Sequence, residues 1–250
     1  MRMSDPARAA APVRDQPLEK SPDRIAGMFD AIAIRYDLLN HVLSGGSDWY
    51  WRWRAIRALR LEPTDIVLDL CTGTCDFGIE ALQRGGVARV VGVDFAAEML
   101  RIGRDKLRRR GLWPRAPLVR GDAARIPLAD SSVDAVTMAF GIRNVEVPEE
   151  ACREMARVLK PGGQLAVLEF SMPTAPGIRQ GYAWYFRHVL PCIGRIVSRH
   201  SDAYTYLPTS VGSFFTPAEF TGLLERSGLR QVRAVPLTFG VVQLYLAQKG

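Results

Sequence analysis

Asp69 and Asp76 bracket the short run Leu70-Cys71-Thr72-Gly73-Thr74-Cys75, and a third acid, Asp94, follows the apolar Val90-Val91-Gly92-Val93. Gly73 lets the backbone turn sharply and lets a ligand approach without a Cβ in the way. A carboxylate placed like Asp94, at the tip of an apolar strand, can accept two hydrogen bonds from ribose hydroxyls. A pyrophosphate-binding turn would carry G-x-G-x-x-G opening a helix. Here only the central position is glycine, and acids flank it. Acids repel a pyrophosphate and suit a ligand bearing a sulfonium and an ammonium. The chemistry therefore points to S-adenosylmethionine (SAM), with Asp69, Gly73 and Asp94 as candidate contacts.

The elements that must position these residues follow from periodicity. Ile66–Leu70 is a short apolar run of the kind a doubly covered parallel strand shows. Phe77–Arg84 reads as a helix ended by Gly85-Gly86, and Val90–Asp94 as the second strand. Ala97–Arg109 is the next helix, Ala116–Arg120 the third strand and Val133–Ala139 the fourth. Pro148–Leu159 is an amphipathic helix, broken by Lys160-Pro161-Gly162-Gly163 before a fifth strand, Gln164–Phe170. Thr216 is a plausible cap for a helix to Ser227, because Pro217 follows it. Arg230–Val235 and Val241–Ala247, separated by Phe239-Gly240, suggest an antiparallel hairpin.

Ahead of the first strand lie two predicted helices, Pro22–Leu43 and Trp49–Leu61. The second has Trp49, Trp53, Ile56 and Leu59 on its apolar side, and core packing accounts for two of its three tryptophans. The expected organisation is a disordered tail over 1–22 and one domain over 23–250, with a helical leader at 23–61. Aromatic-rich helices over 171–213 form a lid. The fold class is α/β: a seven-stranded, mostly parallel sheet ending in an antiparallel hairpin, the class I SAM-dependent methyltransferase variant of the doubly wound fold.

The chain of 250 residues is 48% hydrophobic, enough for a sizeable core. No segment approaches the ~18 unbroken apolar residues of a membrane span, and Met1–Pro22 lacks a signal-peptide apolar region. Cys71, Cys75, Cys152 and Cys192 make no metal-spacing pattern, so a reduced cytoplasmic setting without a metal is expected. His41, His188 and His200 show no triad or metal spacing either. The net charge is +7 and the pI about 9.5. Much of the excess falls on Arg101, Arg104, Lys106, Arg108, Arg109 and Arg110, read first as a solvated helix face. Nucleic-acid contact or adhesion to an anionic membrane is the sharper alternative.

Several stretches resemble the methyltransferases of menaquinone and ubiquinone biosynthesis, which C-methylate a prenylated quinol. They include Tyr36-Asp37-Leu38-Leu39-Asn40 with Ser44, Gly46, Trp51 and Arg52, then Asp69 to Asp76, and Asp122-Ala123. Further on come Phe140-Gly141-Ile142-Arg143-Asn144-Val145, Arg157 to Gly163 leading into Leu168-Glu169-Phe170-Ser171, Pro191 with Gly194, and Tyr204-x-Tyr206-Leu207 with Ser210. The K-P-G-G turn is common to many SAM methyltransferases. The F-G-I-R-N-V and Y-x-Y-L runs are far more specific. The resemblance implies SAM contacts at Thr74, Asp94, Asp122 and Ala123, although for Asp122 an Asx-turn competes. The chain departs from the family pattern where Asp becomes His41, where His-Arg becomes Asp48-Trp49, and at Cys75, Ala139 and Thr209.

The implied reaction is methylation of a reduced polyprenyl quinone ring, first of all demethylmenaquinol to menaquinol. A 2-methoxy-6-polyprenyl-1,4-benzoquinol is the alternative acceptor, and a relative acting on a modified quinone also stays open. Deprotonating a quinol hydroxyl, with a free pKa of ~10, pushes electron density onto the adjacent carbon. Arg143 and Asn144 are the first choice for binding that oxygen. Against this, Arg143 could instead form a structural ion pair with Glu146 or Glu169, an option ranked below a site role. Tyr36 and Asp37 follow as substrate contact and base, with Phe140 and Tyr206 as substrate contacts. Expected partners are the prenylated quinol and an anionic membrane surface at the inner face, met peripherally. A homo-oligomer stays open, and nucleic acid is not expected. Competing classes are an RNA methyltransferase, a non-catalytic SAM-fold scaffold and, last, a nicotinamide-dependent oxidoreductase.

Overall fold

A computed structural model describes residues 20–185, 188 and 202–250. The tail expected over 1–22 falls, up to residue 19, outside the described residues, as do Pro191, Cys192, Gly194, His200 and the side chain of Tyr204. Seven strands form one sheet: β1 (Ile66–Leu70), β2 (Arg89–Asp94), β3 (Leu118–Arg120), β4 (Val133–Ala139), β5 (Leu159–Phe170), β6 (Leu229–Leu237) and β7 (Val242–Lys249). The order is β3-β2-β1-β4-β5-β7-β6, parallel through β5 and antiparallel at β7 and β6. The helices are α1 (Pro22–Leu43), α2 (Ser47–Ala58), α3 (Asp76–Glu80), α4 (Ala97–Arg109), α5 (Pro148–Val158), α6 (Pro176–Trp184), α7 (Asp202–Ser213) and α8 (Pro217–Arg226).

The period-2 alternation of a strand sends neighbouring side chains to opposite faces, and this sheet has an apolar layer on each. Leu68, Leu70, Val136, Met138, Leu165 and Val167 pack with Met155 of α5 and with Phe220 and Leu224 of α8. Their neighbours Val67, Ala135, Ala166 and Leu168 point the other way, onto Trp51, Ala55 and Ile56 of α2 and Phe77 and Ile79 of α3. Burial on both faces explains why β1 reads as a continuous apolar run.

Three expectations are corrected. Lys160 to Gly163 does not separate a helix from a strand; it is a bulged excursion within β5, which pairs Leu159 with Val133 and resumes with Gln164 opposite Ala135. Lys160 Nζ holds this excursion through Asp134 Oδ1 at 2.7 Å, and Asp134 Oδ2 accepts from the Ile66 amide at 2.9 Å. In α2 and at its end, Ile56 and Leu59 are buried as expected, but Trp51 takes the buried place expected for Trp49, which is 65% exposed. Trp51 lies against the sheet and donates to Thr238 Oγ1 at 2.8 Å. The helix after the turn becomes a π-turn over Ala81–Gly85 before Gly86 in the left-handed region. The capping box at Thr216 and Glu219 forms as the sequence implies.

Candidate active site

Where strand order reverses, between β1 and β4, the carboxyl ends of the parallel strands leave a crevice. A cleft of about 970 Å³, counted to its open mouth, lies there. β1 and the turn after it contribute Leu70, Cys71 and Gly73, β2 contributes Asp94, and the turn after β3 contributes Asp122 and Ala123. The loop after β4 adds Phe140, Gly141 and Asn144, and α1 closes one side with Phe29 and Tyr36.

The turn is built around its acids. Gly73 adopts φ +55°, and its amide donates to Asp94 Oδ2 at 2.7 Å, while the Ala96 amide donates to Oδ1 at 2.9 Å. Asp94 is thus fixed at the cleft wall, each oxygen keeping a lone pair. Burial pushes its carboxyl up, opposed by these amides. Asp69 is 1% exposed and accepts from Thr72 Oγ1, the Gly78 amide and Thr137 Oγ1 at 2.5, 3.0 and 3.2 Å. Its carboxyl is pushed up to about 6 by burial, against these three hydrogen bonds. Asp69 therefore ties the turn together and lines only a small recess beside the cleft. Asp76 does not offer free charge to a ligand either: Lys106 Nζ pairs with it at 2.6 Å.

Lys106 corrects a further expectation. It is buried, not part of a solvated basic face, and also pairs with Asp37 Oδ2 at 2.6 Å and donates to Thr74 Oγ1 at 2.9 Å. Thr74 Oγ1 in turn donates to Asp37 Oδ1 at 2.6 Å. Asp37, expected as a base, is thus committed to Lys106 and Thr74 and lines neither large cavity. Thr74 lines the small recess with Asp69. Asp122 Oδ1 accepts from the Ala124 amide at 2.9 Å as an Asx-turn, and the residue lines the cleft.

The Phe140-Gly141-Ile142-Arg143-Asn144 run now has a physical account. Phe140 takes φ +58°, a costly conformation for a bulky residue. Its carbonyl accepts from Arg143 Nη1 at 2.6 Å and Asn144 Nδ2 at 3.2 Å. Gly141 is required because a Cβ there would lie 2.5 Å from the Cβ of Cys71. Ile142 is fully buried. Arg143 Nη1 also pairs with the buried Glu169 at 2.6 Å, so the ion pair ranked below a site role is present. Arg143 Nε is buried and has no hydrogen-bond partner among the described residues.

A second cavity, of about 1360 Å³ to its open mouth, adjoins the first. Phe29, Tyr36 and Phe140 line both. The leader supplies one wall with Met28, Ile32, Leu39 and Leu43, the sheet side supplies Trp51, Phe140 and Phe170, and the lid supplies Tyr182 and Tyr206. Phe140 stacks on Phe170 with centroids 4.5 Å apart, and Trp51 meets both edge-on. Tyr206 Oη donates to Asn144 Oδ1 at 3.1 Å, and Tyr185 Oη donates to the Leu43 carbonyl at 3.0 Å, joining lid to core and lid to leader. Tyr36, Phe140, Arg143 and Tyr206 thus converge on this cavity, and Asn144 stands behind them on the side of the first cleft. Asp48 and Arg52, joined at 2.6 Å, were not chosen from the sequence as site residues. Their spacing of four on a helix was the available signal.

The sequence profile of the ubiE/COQ5 methyltransferase family matches residues 18–249. The chain belongs to that family. It is 47% identical to the ubiquinone/menaquinone biosynthesis C-methyltransferase UbiE of Syntrophotalea carbinolica, over 87% of this chain and 91% of that one. It is 44% identical to the demethylmenaquinone methyltransferase of Mycolicibacterium vanbaalenii, over 93% and 97%. Among solved structures, a possible histamine N-methyltransferase from Thermotoga maritima superposes with a TM-score of 0.62 at 18% identity, covering 90% of this chain and all of that one. The [4+2]-cyclase SpnF superposes with 0.67 at 18% identity over 93% and 97%. These likenesses show the SAM-dependent methyltransferase fold, and the cyclase shows that the fold does not by itself fix the reaction. The family establishes the chain as a SAM-dependent methyltransferase. The cleft suits that donor: it sets a half-buried acid at the β2 tip and a glycine at φ +55° against an apolar wall.

Proposed function

We propose that the protein transfers a methyl group from SAM to a ring carbon of a reduced polyprenyl quinone, first of all demethylmenaquinol. SAM would lie in the cleft, with Asp94 on the ribose, Asp122 and Ala123 at the adenine, and Gly73 beside the amino-acid portion. Asp69 and Thr74 would shape the turn from behind. Bound there, SAM supplies an electrophilic methyl on sulfur. The quinol would enter the second cavity, whose ring-lined walls suit an aromatic head and an apolar tail. Tyr36 and Phe140, on the boundary, would set the ring against the methyl.

One observation carries this reading. Three phenols around the second cavity, Tyr36, Tyr182 and Tyr206, are each pushed up by burial, and each is pulled back by the charge of Arg143. Glu169, paired with Arg143, opposes that pull at Tyr182 and Tyr206, and a quinol hydroxyl in the same space meets burial and this paired cation together. Arg143 would favour its phenolate and so load electron density onto the neighbouring carbon. Glu169 and the Phe140 carbonyl hold the guanidinium in place. Asn144 would act through Tyr206 and the Phe140 carbonyl, as a positioning residue.

The tail of such a substrate resides in a bilayer. Among the described residues no helix is long and apolar enough to cross a membrane. Ile34, Leu38 and Val42, one turn apart on α1, are 87%, 58% and 49% exposed, and Trp49 lies nearby in sequence. We assign this stripe to an anionic membrane surface, entered from the cytoplasmic side. Among the described residues no group of three or more His, Cys, Asp or Glu is placed to hold a metal ion, and the proposed chemistry requires none.

The deciding experiment follows labelled methyl from SAM into demethylmenaquinol, a demethylated benzoquinol and RNA. Transfer to the naphthoquinol is expected; transfer only to the benzoquinol moves the substrate, and transfer only to RNA ends the proposal. Arg143→Gln should lower kcat at least ~10-fold and move the alkaline requirement of the rate upward, because the phenolate loses its counter-charge.

A further inference from the structure

Three spaces meet at two rings. Tyr36 and Phe140 line the cleft, the second cavity and the small recess beside the turn. The sulfonium of SAM likewise carries three arms: an adenosyl group, an aminocarboxypropyl chain and the methyl. With the adenosyl arm in the cleft and the methyl facing the second cavity, the recess is left for the amino-acid arm. A sulfonium at the junction would lie beside two aromatic rings, which attract cations.

The recess has the chemistry of a site for a small charged head. It measures about 340 Å³ to its open mouth, against about 970 Å³ for the cleft. The turn supplies Thr72, Gly73 and Thr74, β1 supplies Asp69, and α2 supplies Arg52. Arg52 is 6% exposed, yet only one arm of its fork is spent: Nη1 donates to Asp48 Oδ2 at 2.6 Å. Its Nε and Nη2 have no hydrogen-bond partner among the described residues, and neither is sealed in the interior. Asp48 has nothing more to give them, since its oxygens also serve His41 at 2.8 Å and Ser44 at 2.9 Å. Burial works against the charge of Arg52, and Asp76 and Asp48 outweigh it, so the guanidinium stays protonated. A buried guanidinium with an open edge is matched by an anion that brings two acceptor oxygens in one plane.

We propose that Arg52 clamps the α-carboxylate of SAM in this recess and makes the protein select its donor by that carboxylate. Nε and Nη2 give two parallel N–H···O bonds to the two carboxylate oxygens. Asp69, on the same wall, suits the ammonium. Asp48 is a positioning residue: one turn before Arg52 on α2, it takes Nη1 and leaves the Nε–Nη2 edge for the ligand. With two arms of the sulfonium each held in its own space, the methyl is the arm left to face the acceptor.

This clamp rests on SAM lying in the cleft as proposed above, and binding tests the two separately. Calorimetry on the full chain would compare three probes: SAM, decarboxylated SAM and 5′-methylthioadenosine, which lacks the whole amino-acid arm. The wild type should bind SAM ~10- to 100-fold more tightly than decarboxylated SAM. Arg52→Gln should lose that preference while binding 5′-methylthioadenosine as the wild type does. Arg52→Lys, which keeps the charge and loses the fork, should retain only part of it. Equal wild-type affinity for SAM and decarboxylated SAM overturns the clamp with no variant needed. An Arg52→Gln protein that keeps the preference also overturns it, as does one that loses affinity for 5′-methylthioadenosine as much as for SAM. A wild type that binds none of the three overturns the cleft as donor site, and the clamp falls with it.

Discussion

The acids of the turn divide their work by burial. Asp69 is enclosed with its carboxyl pushed up to about 6, from an ordinary 3.8. A folded-state pKa raised above the unfolded one means that the native state binds more protons between the two values. The stability contributed by this protonation is full below pH 3.8 and is lost as pH rises through about 6. A shift of this size corresponds to roughly 3 kcal/mol. Asp69→Asn should therefore gain stability relative to the wild type as pH is raised from 4 to 7, read from paired urea melts. A constant difference across that range would refute the assignment. Asp94, by contrast, faces the cleft. Asp94→Ala should weaken SAM binding ~10- to 100-fold by calorimetry, the loss of a charge-assisted hydrogen bond. Unchanged affinity would remove Asp94 from the donor site.

At the scale of elements, the leader is tied to the donor turn by one buried cation. Lys106 of α4 binds Asp37 of α1 and Asp76 of α3. Removing it leaves two half-buried acids, their side chains 30% and 21% exposed, without a counter-charge, a cost of ~1–3 kcal/mol. Lys106→Met should destabilise the fold by about that amount and speed amide exchange over α1 more than over β4, as read by mass spectrometry. Equal exchange in both would mean that the leader is held by its apolar packing alone. The same scale explains the departures at His41 and Asp48. The family pattern carries Asp and His at these two positions, and this chain carries His and Asp. The structure sets the two 2.8 Å apart, so a reciprocal exchange preserves one acid and one imidazole. The sequence signalled two unrelated departures, because residues seven apart across a glycine turn have no periodic relation.

The whole molecule sets the first cleft at the strand ends and the second cavity under the helices laid over the sheet, the places proposed for donor and acceptor. On the outside, α1 shows Ile34 and Leu38 to solvent. Replacing both with Asp should reduce co-sedimentation with anionic vesicles several-fold while leaving transfer to a micellar short-tailed quinol intact. Equal vesicle binding would place the membrane contact elsewhere. The basic helix α4 is a weaker candidate for that contact than its composition suggested. Lys106 is buried, and Arg101 pairs with Glu98 and Asp105.

Much was legible in the chain itself. The bounds of α1, β1, α4 and β4 follow directly from apolar periodicity and turn residues, because local pattern dictates which face is buried. The terminal hairpin and the Thr216 cap were legible for the same reason. The Lys160–Gly163 bulge was not, since a strand that leaves and rejoins its neighbour looks like a break in the pattern. By itself, the sequence determined the fold, the acid-flanked turn and the family, because each is written in contiguous residues. Only the tertiary structure decided the partners of Arg143, Lys106 and Asp48. Their partners Glu169, Asp37 with Asp76, and His41 lie 7 to 69 residues away in sequence, and a buried charge is defined by what the fold brings against it.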